Sequence, residues 1–374
     1  MPVLPAYRSL GASGLKVSPL WLGAMMFGDQ TSEAEAAAIV DAAREAGVNA
    51  IDTADAYANG ESERLVGRLI QADRSRWVLA TKVANPMSEQ PNDRGLSRRW
   101  ITRAVDDSLK RLGTDWIDLY YMHRDDETTP VEETLATLAR LIDSGKILHY
   151  GVSNFRAWRM ARLVETSRQM GIPPPVACQP PYSAVTRGIE TEVLPACAHY
   201  GLGAVTYSPL ARGVLTGKYS PETQPPADSR AARADRRLMQ TEWRPESIAL
   251  AQAFRAHAQA RGVSASQLAI AWVLNNRLVS GVIAGPRTLE QWRDYVAALS
   301  VQVTAEDERW VDERVPPGHA STFGYTDPQY PVSGRVCALG PPGPGCAQPA
   351  PRGGSSKVAK PHLLESFSRW RGRR

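Results

Sequence analysis

Residues 112–126 read LGTDWIDLYYMHRDD, and the fold follows from how this stretch is taken. Trp116, Ile117, Leu119, Tyr120, Tyr121 and Met122 form an apolar run interrupted only by Asp118, the signature of a strand covered on both faces. The run is short for a helix, and Gly113, Thr114 and Asp115 break it from the helical pattern before it. It predicts a buried strand over 116–122 that delivers His123 to its downstream end.

Seven further runs of this kind flank it, at 20–24 (LWLGA), 48–52 (VNAID), 76–83 (RWVLATKV), 147–153 (ILHYGVS), 175–179 (PVACQ), 203–209 (GAVTYSP) and 279–285 (VSGVIAG). Amphipathic patterns separate them. Helices are expected from Thr31 or Ser32, with Glu35 in capping-box position, then over 61–71 and 97–111 and from Pro130 to Ser144. Others run through Met170 and through Tyr200, over 246–261 and 264–276, and, after the last strand, over 288–299 and 304–314. Up to about Arg244 the chain after the seventh run reads as a long loop rich in Pro, Asp, Ala and Arg. Eight strands, each followed by helix, predict an α/β protein built as a closed (β/α)8 TIM barrel with extra C-terminal helices. An open doubly wound sheet also alternates, but its glycine fingerprint follows the first strand. The G-x-G here, Gly201 to Gly203, precedes a strand instead. Ahead of the first run, residues 7–20 alternate and turn at Ala12 to Gly14, which predicts an N-terminal β-hairpin plugging the barrel bottom.

At 374 residues and 43% hydrophobic content the chain has ample material for one large core. The periodic pattern occupies residues 1–331. Residues 332–374 are rich in Pro, Gly and basic side chains and are expected to form no packed core, apart from a brief helix at 363–370. Residues 330–374 hold eight Lys or Arg against one acid, so the +5 of the whole chain becomes −2 over residues 1–329. Nucleic-acid binding is therefore not expected. The N-terminus lacks a charged region followed by an apolar one, and no run reaches the roughly 18 apolar residues of a membrane span. A cytoplasmic protein with no membrane partner is the expectation. Cys178, Cys197, Cys337 and Cys346 show neither C-x-x-C pairing nor zinc-ligand spacing, so they read as free thiols and no metal site is expected.

In a parallel barrel, chemistry gathers at the carboxyl ends of the strands. There stand Asp52, leading into DTADAYANGESE, then Lys82, His123, Ser153 with Asn154, Gln179, Tyr207 with Ser208, and Gly285 with Arg287. Taken singly, Asp52 can cap a turn, Tyr57 can pack, and a strand-end lysine is ordinarily solvated. Four such residues at three successive strand ends point instead to a catalytic constellation.

These segments, with LGTDWIDLYYMHRDD, ATKV, GVSNF, YSPLARGVLTGKY and GPRTLEQ in order along residues 7–331, resemble the aldo-keto reductase family. The resemblance implies reduction of an aldehyde or ketone to an alcohol with NADPH. It makes Tyr57 the proton donor, Lys82 and Asp52 its electrostatic support, and His123 the group that orients the substrate carbonyl. Side-chain chemistry agrees. A tyrosine with a pKa of about 10 gives up its proton reluctantly at neutral pH, and a cation beside it favours the phenolate. Lys82 supplies that cation, Asp52 holds it charged, and His123 donates to the oxygen as charge develops there.

The cofactor implied is NADPH/NADP, held without a Rossmann fold. By position, Ser153, Asn154 and Gln179 match the residues on the nicotinamide carboxamide, Tyr207 the aromatic against the ring, and Ser208, Leu210 and Gly213 the pyrophosphate loop. Arg287 matches the 2′-phosphate ligand and Gln291 lies near the adenine. Gly23, Met25, Asp52, Lys218 and Gly285 complete the implied cofactor contacts. The chain departs from the family pattern at Tyr295, where an asparagine is usual, and at Trp292, in place of a leucine. Met26, Tyr57 and His123 are expected in the substrate pocket, with Trp21, Met25, Phe27 and the loop 84–96 as apolar lining and small aromatic or aliphatic carbonyls as substrates. The resemblance extends to the potassium-channel β subunits, so a cofactor-binding regulatory protein with little turnover is the alternative. The lack of a long N-terminal extension turns the expectation toward the enzyme, of open oligomeric state.

Overall fold

A computed structural model describes residues 6–220 and 222–330. The expected tail at 332–374, with its brief helix and with Cys337 and Cys346, lies outside the described residues. A short antiparallel hairpin, β1 (Arg8–Ser9) and β2 (Lys16–Val17), comes first. Eight strands then close on themselves: β3 (Leu20–Gly23), β4 (Ala50–Asp52), β5 (Val78–Val83), β6 (Ile117–Met122), β7 (Ile147–Ser153), β8 (Ala177–Gln179), β9 (Gly203–Tyr207) and β10 (Val279–Ala284). They form a closed barrel in the order β10-β3-β4-β5-β6-β7-β8-β9, every pair parallel and β9 returning to β10. The expected (β/α)8 TIM barrel is the fold.

The opening stretch shows why. In β6 all six side chains are buried. Leu119 and Tyr121 point into the barrel with Trp21, Ala50, Ala80 and Val205, while Ile117, Tyr120 and Met122 pack under the surrounding helices. Asp118, the one polar interruption, ties neighbouring segments together: it accepts from Arg74 at 2.6 Å and from the Leu79 amide at 3.1 Å. Trp116 sits at the rim with the Arg74 guanidinium 4.4 Å over its ring.

The surrounding helices are α1 (Glu33–Glu45), α2 (Glu61–Ile70), α3 (Arg98–Leu112), α4 (Val131–Asp143), α5 (Ala157–Gln169), α6 (Val193–Tyr200), α7 (Arg236–Thr241), α8 (Pro245–Ala260), α9 (Ala265–Asn275), α10 (Leu289–Ala297) and α11 (Ala305–Asp312). Pro130 stands just before α4, as N-cap. Three expectations shift. Only half of the capping box forms at α1: Ser32 accepts from the Glu35 amide, but the Glu35 carboxylate reaches Leu289 N at 2.5 Å and pins the start of α10. The run at 175–179 shortens to β8, although Val176 N still donates to Tyr150 O at 2.9 Å. The long segment after β9 is not all loop; Asp235 caps the unforeseen helix α7 by accepting from Leu238 N.

The hairpin lies at the amino ends of β8 to β10, as expected. Ala12 N donates to Gly201 O at 2.8 Å, Arg8 donates to Val279 O at 2.8 Å, and Leu10 and Val17 join the interior cluster. Gly11 makes that approach possible. At its φ of 57°, a Cβ would stand 2.4 Å from Gly201 O. Cys178 and Cys197 are buried free thiols. No helix among the described residues is long and apolar enough to cross a membrane.

Candidate active site

The site is assembled from three neighbouring strand ends and one strained turn. Asp52 closes β4, Lys82 lies near the end of β5, and His123 follows β6. Tyr57 arrives by a turn in which Ala58, Asn59 and Gly60 all have positive φ, at 46°, 53° and 91°. Two of these are not glycine, so the turn stores strain to seat Tyr57 over the lysine. Lys82 has no exposed side-chain surface, and each of its ammonium hydrogens has an acceptor: Asp52 Oδ1 at 2.5 Å, Thr53 O at 2.8 Å and the Tyr57 hydroxyl at 3.2 Å. The second Asp52 oxygen accepts from Gln179 Nε2 at 2.8 Å.

Electrostatics follow from these contacts. Burial works against the Lys82 charge, but Asp52 and Tyr57 outweigh it and hold the ammonium above its ordinary pKa. Burial lifts Asp52, with Lys82 and then Gln179 pulling back. Burial also lifts Tyr57, partly offset by the Lys82 charge. His123 is held well below its usual value by burial first, then by Lys82 and Arg124, and is neutral at pH 7. Its ring stands edge-on to Tyr57, with centroids 5.7 Å apart and planes at 83°. A phenol and an imidazole thus converge where a carbonyl oxygen can accept from both.

A polar belt continues along the mouth. The Tyr207 hydroxyl donates to Asn154 Oδ1 at 2.7 Å, Asn154 Nδ2 donates to His123 O and Ser153 Oγ at 3.0 Å each, and Ser153 Oγ donates to Gln179 O at 2.9 Å. Beyond it the backbone turns left-handed at Ser208 (59°), Ala211 (48°), Arg212 (54°) and Gly213 (94°), while Leu210 is buried. Gly23 and Gly285 face each other: a Cβ on Gly285 would meet Gly23 O at 3.4 Å, and one on Gly23 would meet Ile283 at 2.8 Å.

Farther out lies a cluster of cations. Burial first, and then Arg287, Arg230 and Arg233, depress the Lys218 pKa, with Asp228 opposing. Arg287 donates to Asp228 O at 2.7 Å and pairs with its carboxylate at 3.1 Å, while the Arg287 amide donates to Gln291 Oε1 at 2.8 Å. Arg230 pairs with Asp235 at 3.2 Å and reaches Met26 Sδ at 3.8 Å. Amide donors and acceptors near Tyr57 and His123, then a glycine cradle, then four cations: this donor set fits a nicotinamide dinucleotide with its phosphates.

Met25 and Met26 lie in the turn after β3, with Met26 buried. Trp21 and Phe27 do not line the mouth. Both are fully buried, Trp21 inside the barrel and Phe27 under the helices. Trp292 and Tyr295 are packing residues as well, and burial pushes the Tyr295 hydroxyl up to about 12. Sequence reasoning missed Asn85, whose Nδ2 lies 3.0 Å from His123 Nδ1, and also Arg230. The arginine density of 230–244 was a usable signal for Arg230; a lone asparagine in a Pro-rich loop carried none.

Comparison with known proteins identifies the family. The model of the Aldo/keto reductase family matches residues 19–315. A probable voltage-gated potassium channel subunit beta from Oryza sativa subsp. japonica is 40% identical over 301 residues, covering 79% of this chain and 91% of that protein. An uncharacterized oxidoreductase of Bacillus subtilis, YrpG, is 37% identical over 334 residues, covering 85% and 99%. The L-glyceraldehyde 3-phosphate reductase of Escherichia coli (strain K12) is 33% identical over 332 residues, covering 85% and 94%. The chain belongs to the aldo/keto reductase family and is an oxidoreductase of carbonyl groups.

Proposed function

We propose that the protein reduces a small aldehyde or ketone to its alcohol with NADPH, Tyr57 supplying the proton. The observation that carries this reading is the closed chain from Asp52 through Lys82 to the Tyr57 hydroxyl, at 2.5 and 3.2 Å. A buried ammonium beside a phenol favours the phenolate left after proton transfer. His123, neutral, donates to the same oxygen. When bound, the dinucleotide supplies the hydride. Ser153, Asn154, Gln179 and Tyr207 would hold the nicotinamide end, with Gly23, Met25 and Gly285 beside the cofactor. Ser208, Leu210, Gly213 and Lys218 would hold the pyrophosphate, and Arg287 and Gln291 the adenosine end. Met26 would flank the substrate.

Turnover of 4-nitrobenzaldehyde or methylglyoxal, followed as NADPH consumption, is expected in the wild type and lost in Tyr57→Phe with NADPH binding retained. A Tyr57→Phe variant with full activity overturns the role of that residue. Preference for NADPH over NADH rests on Arg287. Arg287→Ala is expected to raise KM for NADPH by about tenfold or more and to leave KM for NADH nearly unchanged; equal changes count against it.

The potassium-channel β subunits among the relatives favour a second reading, a cofactor-holding regulatory subunit with little turnover. NADPH binding without consumption across a broad carbonyl panel selects it.

A further inference from the structure

A neutral imidazole donates a hydrogen bond at one ring nitrogen and accepts at the other, and the assignment decides whether His123 can serve a developing oxyanion. One nitrogen is already committed. Asn85 Nδ2 stands 3.0 Å from His123 Nδ1. An amide N–H2 only donates, so Nδ1 accepts and the ring proton resides on Nε2. The opposite amide orientation would require Nδ1–H and leave a lone pair on Nε2, which would repel a carbonyl oxygen.

The backbone on both sides holds this contact. His123 N donates to Val83 O at 2.8 Å, so the histidine is anchored to the end of β5. Next comes Ala84, buried and at φ 109°, far outside the ordinary range for a residue with a side chain. Its carbonyl accepts from Gly95 N at 3.0 Å. This strained residue carries the chain off the barrel wall and sets Asn85 against the ring. From the other side, Asn154 Nδ2 holds the His123 carbonyl at 3.0 Å.

We propose that Asn85 is a positioning residue whose carboxamide fixes the Nε2–H tautomer of His123, so that the imidazole donates to the carbonyl oxygen opposite Tyr57. The proposal rests on the reductase reading of the same site. Among the described residues, Tyr57, Asn85 and the charges of Lys82 and Arg124 act on the ring, and no carboxylate does. A carboxamide sets the tautomer without raising ring basicity, as a carboxylate partner would. In the reaction, hydride adds to the carbonyl carbon, the C=O π pair moves onto oxygen, and oxygen takes the Tyr57 proton. His123 keeps its own proton and only donates to that oxygen.

The test has a kinetic arm and a spectroscopic arm. Asn85→Leu is expected to lower kcat by about 10²-fold, with KM for the aldehyde little changed and NADPH affinity within about twofold. Asn85→Gln is expected to restore part of the loss. Asn85→Asp reverses the logic: the neutral ring becomes Nδ1–H, and only the imidazolium still donates from Nε2. Its kcat/KM is expected to fall as pH rises from 6 to 9, where the wild type loses nothing through His123. Nitrogen-15 imidazole spectra of the wild type are expected to show a protonated Nε2 and a bare Nδ1. A protonated Nδ1, or an Asn85→Leu enzyme of undiminished kcat, overturns the proposal. The spectrum does not depend on turnover, so a protein with protonated Nε2 that reduces no carbonyl sinks the reductase reading and leaves the tautomer assignment standing.

Discussion

Lys82 has no exposed side-chain surface and pairs with the Asp52 carboxylate, so in the reductase reading its charge and the reactivity of Tyr57 stand or fall together. Lys82→Met is expected to cut kcat by about 10²–10⁴-fold. It should also lower the melting temperature, because Asp52 is left as an unpaired buried charge. Unchanged kcat would remove Lys82 from the chemistry. Asp55 is the opposite case: buried, without a side-chain hydrogen-bond partner, and held well above the usual carboxylate range by burial and then by Glu63. The folded protein therefore holds this proton more tightly than the unfolded chain. Stability is fully present below the unfolded carboxylate range and is lost as pH rises from there toward the folded pKa. Asp55→Asn abolishes that loss. In urea unfolding the variant is expected to gain on the wild type at pH 8 and to gain little at pH 4; a gain independent of pH would contradict this origin.

Among elements, α2 and α3 meet at Gly67, where a Cβ would stand 2.2 Å from the Leu112 carbonyl oxygen. Backbone cannot give way as a side chain does, so Gly67→Ala is expected to cost about 1–3 kcal/mol or more in urea unfolding, with the site intact. A neutral effect would mean that the two helices can part freely. The strands were legible for a simple reason: β6 is apolar on both faces, and only a covered parallel strand needs that. What the sequence hid were the long-range partners. Glu35 matches a capping box, yet its carboxylate serves Leu289, 254 positions away. Trp21 and Phe27 were expected as pocket lining with Met25 and Met26, but a side chain's layer is set by packing around the barrel. Asn85 follows a buried residue at φ 109°, and no local pattern announces such a turn.

At the scale of the molecule, the barrel closes its sheet entirely, leaving paired neighbours for all eight strands. We propose that it folds without residues 332–374. Truncation after residue 331 is expected to leave both turnover and melting temperature unchanged, and a fall in either would assign the segment a part in the fold. That Asp52, Tyr57, Lys82 and His123 stand together was readable because a parallel barrel collects strand ends at one rim, so order along the chain becomes proximity in space. The hairpin has a consequence for traffic through the barrel. It covers the other rim, and Leu10, Val17, Trp21, Leu119 and Tyr121 pack the interior above it. In the reductase reading, substrate therefore arrives and product departs through one opening, so an alcohol still seated there blocks the next turnover.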